Sequence, residues 1–424
     1  MQDNQLSTPD ELLDTIEKHE EEFPSLSDIS LGAKSKTELT GKLTIMISSA
    51  VLEKQVAACI RAVAKNPIVP ILDCLHFRIG EGDLMTITGS DLRTSITATL
   101  PVWVVNNSLA ENLGWCIEAT PLHRLLLALP EQPVTLLLDG LKFSLLTESG
   151  IYNFTAENGA DYPKQPTLDD PETFAWPADE LNGIFRDLLP YMSQDDLRPA
   201  MTGAGCEVFS GGVDWAATDG HQLIHVRDTL NVRYERVSSF VVSGPTLKQF
   251  LALKVKGEEV AVELTPARIR FSWGNKTFTA RLIEERFPDF RKAIPEEFTR
   301  TATVNRLALL RVLERAMLFV NAHSNQVALK FTPDSSVSVQ ATDLDTMSSS
   351  EETLDLTHYE GDGLTIGFNV KILRANLKAI TSKHVQMRFV RTSRGVVVLP
   401  FAEGAAQENV TRLVMPVMLN QYEF

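Results

Sequence analysis

Ala217-Thr218-Asp219-Gly220 follows a strand-like run and is written twice more in the chain, as Gly89-Ser90-Asp91-Leu92 and Ala341-Thr342-Asp343-Leu344. Each copy is a small residue, a hydroxyl residue, then Asp. The Asp residues lie 128 and then 124 positions apart. That period is too long for a solenoid unit and matches the size of a whole domain. The chain therefore reads as three copies of one fold. Triplication points to an architectural role before a catalytic one.

Two further markers recur in phase. Glu118-Ala119-Thr120-Pro121, Ser243-Gly244-Pro245 and Phe368-Asn369-Val370 each lead into an apolar helical stripe, and Leu125, Leu251 and Leu377 within those stripes are 126 apart. Each stretch reads as a strand end, a capping or turn residue, and a short amphipathic helix. Ala160-Asp161-Tyr162-Pro163, Arg286-Phe287-Pro288-Asp289-Phe290 and Val414-Met415-Pro416 close the three units.

A second helix opens each unit, over Ser48 to Val63, Pro177 to Leu189 and Asn305 to Phe319. The first carries Val51, Val56, Cys59, Ile60 and Val63. The second places Pro177 at its first turn. The third carries Leu307, Leu310, Leu313, Met317 and Leu318. The remaining segments alternate with period two or run apolar, as in Val134 to Leu138, Ile269 to Trp273 and Val385 to Phe389. Turn signals such as Asp139-Gly140 and Trp273-Gly274-Asn275 separate them. The expectation is an α+β fold, each unit having two helices packed on antiparallel sheets of roughly eight strands.

The 424 residues suffice for three ordinary cores. Cys59, Cys74, Cys116 and Cys206 lack paired metal-ligand spacing and read as small buried residues of a cytosolic protein. No apolar run approaches a membrane span. Met1 to Ile29 has no apolar signal core, and residues 1 to 40 read as a mobile acidic arm outside the repeat.

Net charge is -15, which argues against coating nucleic acid with the general surface. Five of the six helical stretches are nonetheless net basic. The exception is 178 to 193, with Asp179, Glu180 and Asp187 against Arg186. One reading is that Lys and Arg are simply good formers of surface helices. The other is that the helices face a polyanion through phosphate contacts, which select no sequence and weaken with salt.

Asp91, Asp219 and Asp343 occupy equivalent places in separate units, so they read as turn-forming groups rather than a catalytic cluster. The eight His residues are scattered. His221 has no second His or Cys nearby, and there is no phosphate loop or nucleotide fingerprint. The expectation is a protein that is not an enzyme and uses no metal or cofactor.

From about Lys42 to Leu419 the chain resembles the bacterial DNA polymerase III beta subunit, the DNA sliding clamp family. The resemblance rests on Asn66-Pro67-Ile68-Val69-Pro70-Ile71-Leu72, Ala217-Thr218-Asp219-Gly220-His221-Gln222-Leu223, Arg286-Phe287-Pro288-Asp289-Phe290-Arg291-Lys292, Ile366-Gly367-Phe368-Asn369-Val370 and Val414-Met415-Pro416-Val417-Met418-Leu419. It implies clamp domains over 41–166, 167–295 and 296–419, with extensions at 1–40 and 420–424. It also implies a head-to-tail homodimeric ring around double-stranded DNA, closed by a heterologous contact between the first and third domains. Met317 and Leu318 match residues at that junction, and simple helix core is their other reading. A clamp loader using ATP would open the ring.

The resemblance further implies a pocket for short peptide motifs of the polymerase III alpha subunit, the clamp loader and other partners. Met201, Thr218, Gly220, His221, Gln222 and Leu223 would form one side and Pro288, Lys292 and Ala293 another. Leu413, Met415, Pro416, Val417, Met418 and Leu419 would complete it. Met suits an adaptable apolar groove, although Val414 and Leu223 also read as core. The expected DNA-facing residues are Lys54, Arg61, Lys65, Asn66, Gln194, Arg198, Lys248, Arg311, Lys371, Arg374 and Lys378, with Asp195 and Asp196 unhelpful to phosphate in the same loop as Gln194.

The chain departs from the family in two places. Gln222 stands where members commonly have Arg, and Asn420-Gln421-Tyr422-Glu423-Phe424 continues past the pocket, in reach of folding back into it. Two rival readings stay open: a monomeric three-repeat adaptor that binds partners without encircling DNA, and a specialised accessory clamp copy.

Overall fold

The computed structural model describes residues 42–106, 114–209, 211–228 and 238–419. The acidic arm and the 420–424 extension lie outside the described residues. Two compact units emerge. One holds the residues up to Pro171 together with Ile269–Ala280; the other holds Glu172–Arg268 and the residues from Arg281 on. The segment Ile269–Ala280 thus belongs with the first unit, although the repeat alone assigns it to the middle span.

The first unit has a five-stranded antiparallel sheet in the order Trp103–Asn106, Leu43–Ser48, Pro133–Asp139, Lys142–Leu146, Ile151–Thr155. A second sheet contains Gly114–Glu118, Cys74–Ile79, Leu84–Ser90 and Thr94–Pro101 as successive neighbours. Lys276–Arg281 then pairs with Thr94–Pro101, placing Phe278 opposite Ile96. Helix α1, Ser49–Cys59, packs on α2, Ala119–Ala128. The sequence places the end of α1 at Val63; the chain instead tightens into a 3-10 turn at Ile60–Ala62. Val51, expected in the stripe of α1, is exposed, while Leu52, Gln55 and Val56 are buried.

In the second unit one sheet runs through Gly203–Phe209, Gly212–Thr218, Gln222–Asp228, Val410–Val414, Val396–Ala402, His384–Phe389 and Arg300–Asn305. Gln222–Asp228 therefore pairs directly with Val410–Val414, with Leu223 opposite Leu413. A four-stranded sheet follows the order Ser348–Asp355, Ser336–Asp343, Gln326–Thr332, Leu364–Asn369. Helices α3, Ala178–Leu188, and α4, Gly244–Ala252, pack together, as do α5, Arg306–Ala316, and α6, Val370–Ala379.

Three of the six described α-helices start with a side-chain cap, while Ser48, Glu118 and Pro177 make none. The Ser243 side chain accepts from the Thr246 amide, Asn305 from Ala308, and Asn369 from Lys371 and Ile372. Pro177 precedes α3 at the end of a strand instead of occupying its first turn. The buried stripe of α5 is Leu309, Leu310, Val312, Leu313 and Ala316. Leu307, expected in that stripe, is exposed, and so is Leu318 at 79%. Met317 is half-buried against the core of Phe331, Phe368 and Phe389.

The recurring Asp residues are turn-forming groups. Asp91 Oδ1 accepts from the amides of Arg93 and Thr94 at 2.9 and 2.6 Å. Asp219 Oδ1 accepts from His221 and Gln222 at 2.8 and 2.9 Å. The preceding hydroxyl closes the same turn: Ser90 donates to the Thr94 carbonyl and Thr218 to that of Gln222. In the third copy Asp343 Oδ1 likewise accepts from the Asp345 amide at 3.1 Å, but the strand ladder continues one rung further, to Asp343 opposite Ser348, and the carboxylate also accepts from the Asn321 and Thr346 side chains.

Candidate functional site

The corner Thr218–Gln222 is rigid. Gly220 turns it at φ +90°, and a Cβ there would lie 3.8 Å from Met201 Cε and 3.6 Å from Arg198 Nη1. Those are ordinary van der Waals distances, so it is the positive φ and not lack of space that favours glycine here. His221 is exposed, whereas Thr218 and Gln222 are buried. Their polar atoms are committed internally. Gln222 Nε2 donates to the Pro190 carbonyl at 3.0 Å and to Asp219 Oδ2 at 3.1 Å. Its Oε1 accepts from Asn376 Nδ2 at 2.9 Å, and Asn376 Oδ1 accepts from the Tyr191 hydroxyl at 2.6 Å. Asn376 and Tyr191 are each 1% exposed. Burial pushes the Tyr191 hydroxyl pKa up, so it stays a donor.

From this corner Met415–Leu419 runs as a strap. The Met415 amide donates to the His221 carbonyl at 2.8 Å, and the Val417 amide to that of Gly367 at 2.9 Å. Gln326 Nε2 holds the Met418 carbonyl at 3.0 Å. A Cβ on Gly367 would come within 2.7 Å of both Leu419 Cδ2 and the Val417 carbonyl, so glycine is what lets the strap lie down. Pro416, Val417 and Leu419 are half-buried, while Met415 and Met418 present side chains to solvent, Met418 at 93%.

Pro288, Lys292 and Ala293 are exposed on the turn around Phe290–Ala293. Phe290 anchors that turn in a buried cluster with Leu223, Leu413, Val397 and Leu399. The structure thus gathers the three candidate groups, but Leu223 and Leu413 lie beneath the surface as its foundation. A charged cluster supplies a second anchor. Asp214, 1% exposed, accepts from His225 Nε2 at 2.9 Å, Arg227 Nε at 2.9 Å and Arg291 Nη2 at 2.6 Å. Burial disfavours its charge, yet these three donors outweigh that and hold its pKa far below the usual carboxylate range.

Sequence reasoning missed Asn376, Tyr191, Asp214 and Arg412. Asn376 left a trace: it interrupts the apolar stripe of α6 between Leu373 and Leu377. Arg412, 2% exposed, reaches Asp187 at 3.2 Å.

Among the expected DNA-facing residues, Lys54, Arg61, Lys65, Asn66, Gln194, Arg198, Lys248, Arg311, Lys371 and Lys378 are exposed, and Arg374 is half-buried. Asp195 does more than oppose phosphate: its Oδ2 accepts from Arg198 Nε at 3.1 Å and so occupies that cation. Asn66 turns its loop at φ +52°. The four cysteines are buried, and burial pushes the Cys59 thiol up to about 12. Among the described residues no group of His, Cys, Asp and Glu is arranged to hold a metal, and no helix is long and apolar enough to cross a membrane.

Repeated sheet-and-helix units around a surface of backbone-held apolar side chains define a scaffold class. The chain belongs to the DNA polymerase III beta subunit family: the model of its central domain matches residues 177–289 and that of its C-terminal domain residues 291–418. The family is one of non-catalytic scaffolds. The chain is 27% identical over 366 residues to the beta sliding clamp of Synechococcus elongatus, covering 85% of this chain and 95% of that protein. It is 26% identical over 348 residues to that of Halalkalibacterium halodurans, covering 80% and 91%. Its fold is similar to the crystal structure of the DNA polymerase sliding clamp from Bacillus subtilis, with TM-score 0.82 and 21% identity over 90% of this chain and 100% of that one. The Thermotoga maritima DNA polymerase III beta subunit gives TM-score 0.78 and 20% identity, covering 89% and 100%.

Proposed function

We propose that this chain is a DNA sliding clamp, a processivity factor that encircles duplex DNA as a head-to-tail homodimer and tethers DNA-processing proteins in the cytoplasm, at the nucleoid. Three clamp domains, 41–166, 167–295 and 296–419, would each contribute a helix pair to the DNA side. The observation that carries the tethering is the strap Met415–Leu419, hydrogen-bonded to the His221 corner with Met415 and Met418 facing outward. Fixed backbone with free apolar side chains suits a short peptide motif anchored through one or two apolar residues. The polymerase III alpha subunit and the clamp loader are the partners of that chemistry. Lys54, Arg61, Lys248, Arg311 and Lys371, with the remaining basic candidates, would face phosphates. Diffuse contacts of this kind suit sliding because none fixes a register. Exposed Leu318 and half-buried Met317 supply apolar surface for closing the ring.

The test has two parts. A chain of 47.0 kDa should sediment as a particle of about twice that mass, and loaded protein should stay on circular duplex DNA and run off when the circle is cut. A monomer that binds clamp-motif peptides but is never retained on circles would establish the adaptor reading instead.

A further inference from the structure

Helices α5 and α6 carry a carboxylate in the middle of their basic surface. Glu314 Oε1 lies 3.2 Å from Arg374 Nε and 3.3 Å from Lys378 Nζ, so one oxygen serves both cations. All three side chains are solvent-accessible, at 40%, 32% and 46%. Exposed pairs of this kind contribute little to folding, so stability gives little reason for a carboxylate there. The two donors hold the Glu314 pKa below its ordinary value. Arg315, one residue on, is drawn off to Glu352 through two contacts of 2.8 and 2.6 Å. Among the described residues Arg311 and Lys371 have no ion pair, and they remain available on this surface.

We propose that Glu314 is an internal counter-charge on the DNA face, occupying Arg374 and Lys378 and thereby weakening the grip of that face on phosphate. The inference rests on the DNA-facing reading of α5 and α6 given above. A phosphate approaching either cation must displace the carboxylate or meet it as a like charge. Each phosphate contact that is made releases counterions and steepens the salt dependence of binding by about 0.9 in log-log slope. Withholding one such contact lowers affinity by roughly tenfold at 0.1 M salt. A clamp that must move along the duplex gains from that weakening, since tight contacts would raise friction against sliding.

The test is fluorescence anisotropy of a short labelled duplex with the full chain, read across a KCl series, for wild type, Glu314→Gln, Lys371→Gln, and Glu314→Gln in an Arg374→Gln/Lys378→Gln background. The expected result is that E314Q binds roughly tenfold tighter at 0.1 M salt with a log-log slope steeper by about one, and that this gain vanishes in the double-glutamine background. If K371Q weakens binding but E314Q matches wild type, the counter-charge proposal is overturned and the DNA-facing reading stands. If K371Q and wild type bind alike, the DNA-facing reading fails and takes the proposal with it. A gain that persists in the double-glutamine background also overturns it, because Glu314 would then act without the two cations.

Discussion

Asn376 Nδ2 donates to Gln222 Oε1 across 2.9 Å, joining helix α6 to the turn that holds His221. The two residues are 154 positions apart, and both are buried. Gln222 is thus fully engaged: its amide nitrogen faces Pro190 and Asp219, and its amide oxygen faces Asn376. A cation at this position would keep the Pro190 carbonyl and Asp219 carboxylate as acceptors but take from Asn376 Nδ2 the acceptor that Gln222 Oε1 provides.

Asn376→Leu should destabilise the chain by about 1–3 kcal/mol, because it leaves Gln222 Oε1 without its donor and the Tyr191 hydroxyl without its acceptor. Thermal unfolding would show a lowered midpoint. Affinity for a clamp-motif peptide should fall as well, since the corner loses its brace. An unchanged midpoint would show that the network is not cooperative.

Asp214→Asn should cost about 1–3 kcal/mol, because the buried carboxylate's charge-assisted bonds from His225, Arg227 and Arg291 are weakened or lost. The pH dependence has a definite sign. A carboxyl whose folded pKa is depressed stabilises the fold above its unfolded pKa of about 3.9 and loses that contribution as pH falls toward the folded value. The stability gap between wild type and D214N should therefore be full at neutral pH and shrink below about pH 4. Urea unfolding at a series of pH values reads it directly; a gap that widened in acid would contradict the assignment.

Met415→Ala and Met418→Ala should leave folding and the oligomeric mass unchanged while weakening binding of a clamp-motif peptide by up to about 2 kcal/mol each, the scale of burying a Met side chain. Leu413→Ala should behave in the opposite way, costing about 2–5 kcal/mol of stability as a core truncation. Calorimetric titration beside thermal unfolding separates the two classes. Loss of stability without loss of affinity in M415A would place that side chain in the core.

Reversing Lys248, Arg311 and Lys371 to Glu together should abolish retention on circular DNA at moderate salt and leave the oligomeric mass unchanged. Loading assays on closed circles measure the first, and sedimentation the second. Normal retention would rule out these helices as the DNA-facing surface.

Much of this architecture is legible in the residues. Small-hydroxyl-Asp marks a turn because each member has a local hydrogen-bonding duty, and the same duty recurs at Asp91 and Asp219. Val414-Met415-Pro416 is legible as the close of the third unit, since Pro416 has no amide with which to continue the ladder. Other features depend on partners distant in sequence. Neither Asn376 nor Asp214 advertises its role, since each is defined by residues on another element. Glu314 is likewise invisible as a counter-charge until α6 lies beside α5. Nor does Trp273-Gly274-Asn275 reveal that its hairpin pairs with Thr94–Pro101.

The pairing of Gln222–Asp228 with Val410–Val414 has a mechanical consequence. Five rungs, from Gln222 opposite Val414 to Val226 opposite Val410, flank a strand whose other side pairs with Val396, Val397 and Val398. Ladder hydrogen bonds lie perpendicular to the strands. A pull on Met415–Leu419 is transmitted along Val410–Val414 and so loads both ladders in shear, all rungs together. On the proposed docking role, a partner pulling on this strap would have to slide a whole strand out of the middle of a sheet, so the strap resists load through both ladders at once.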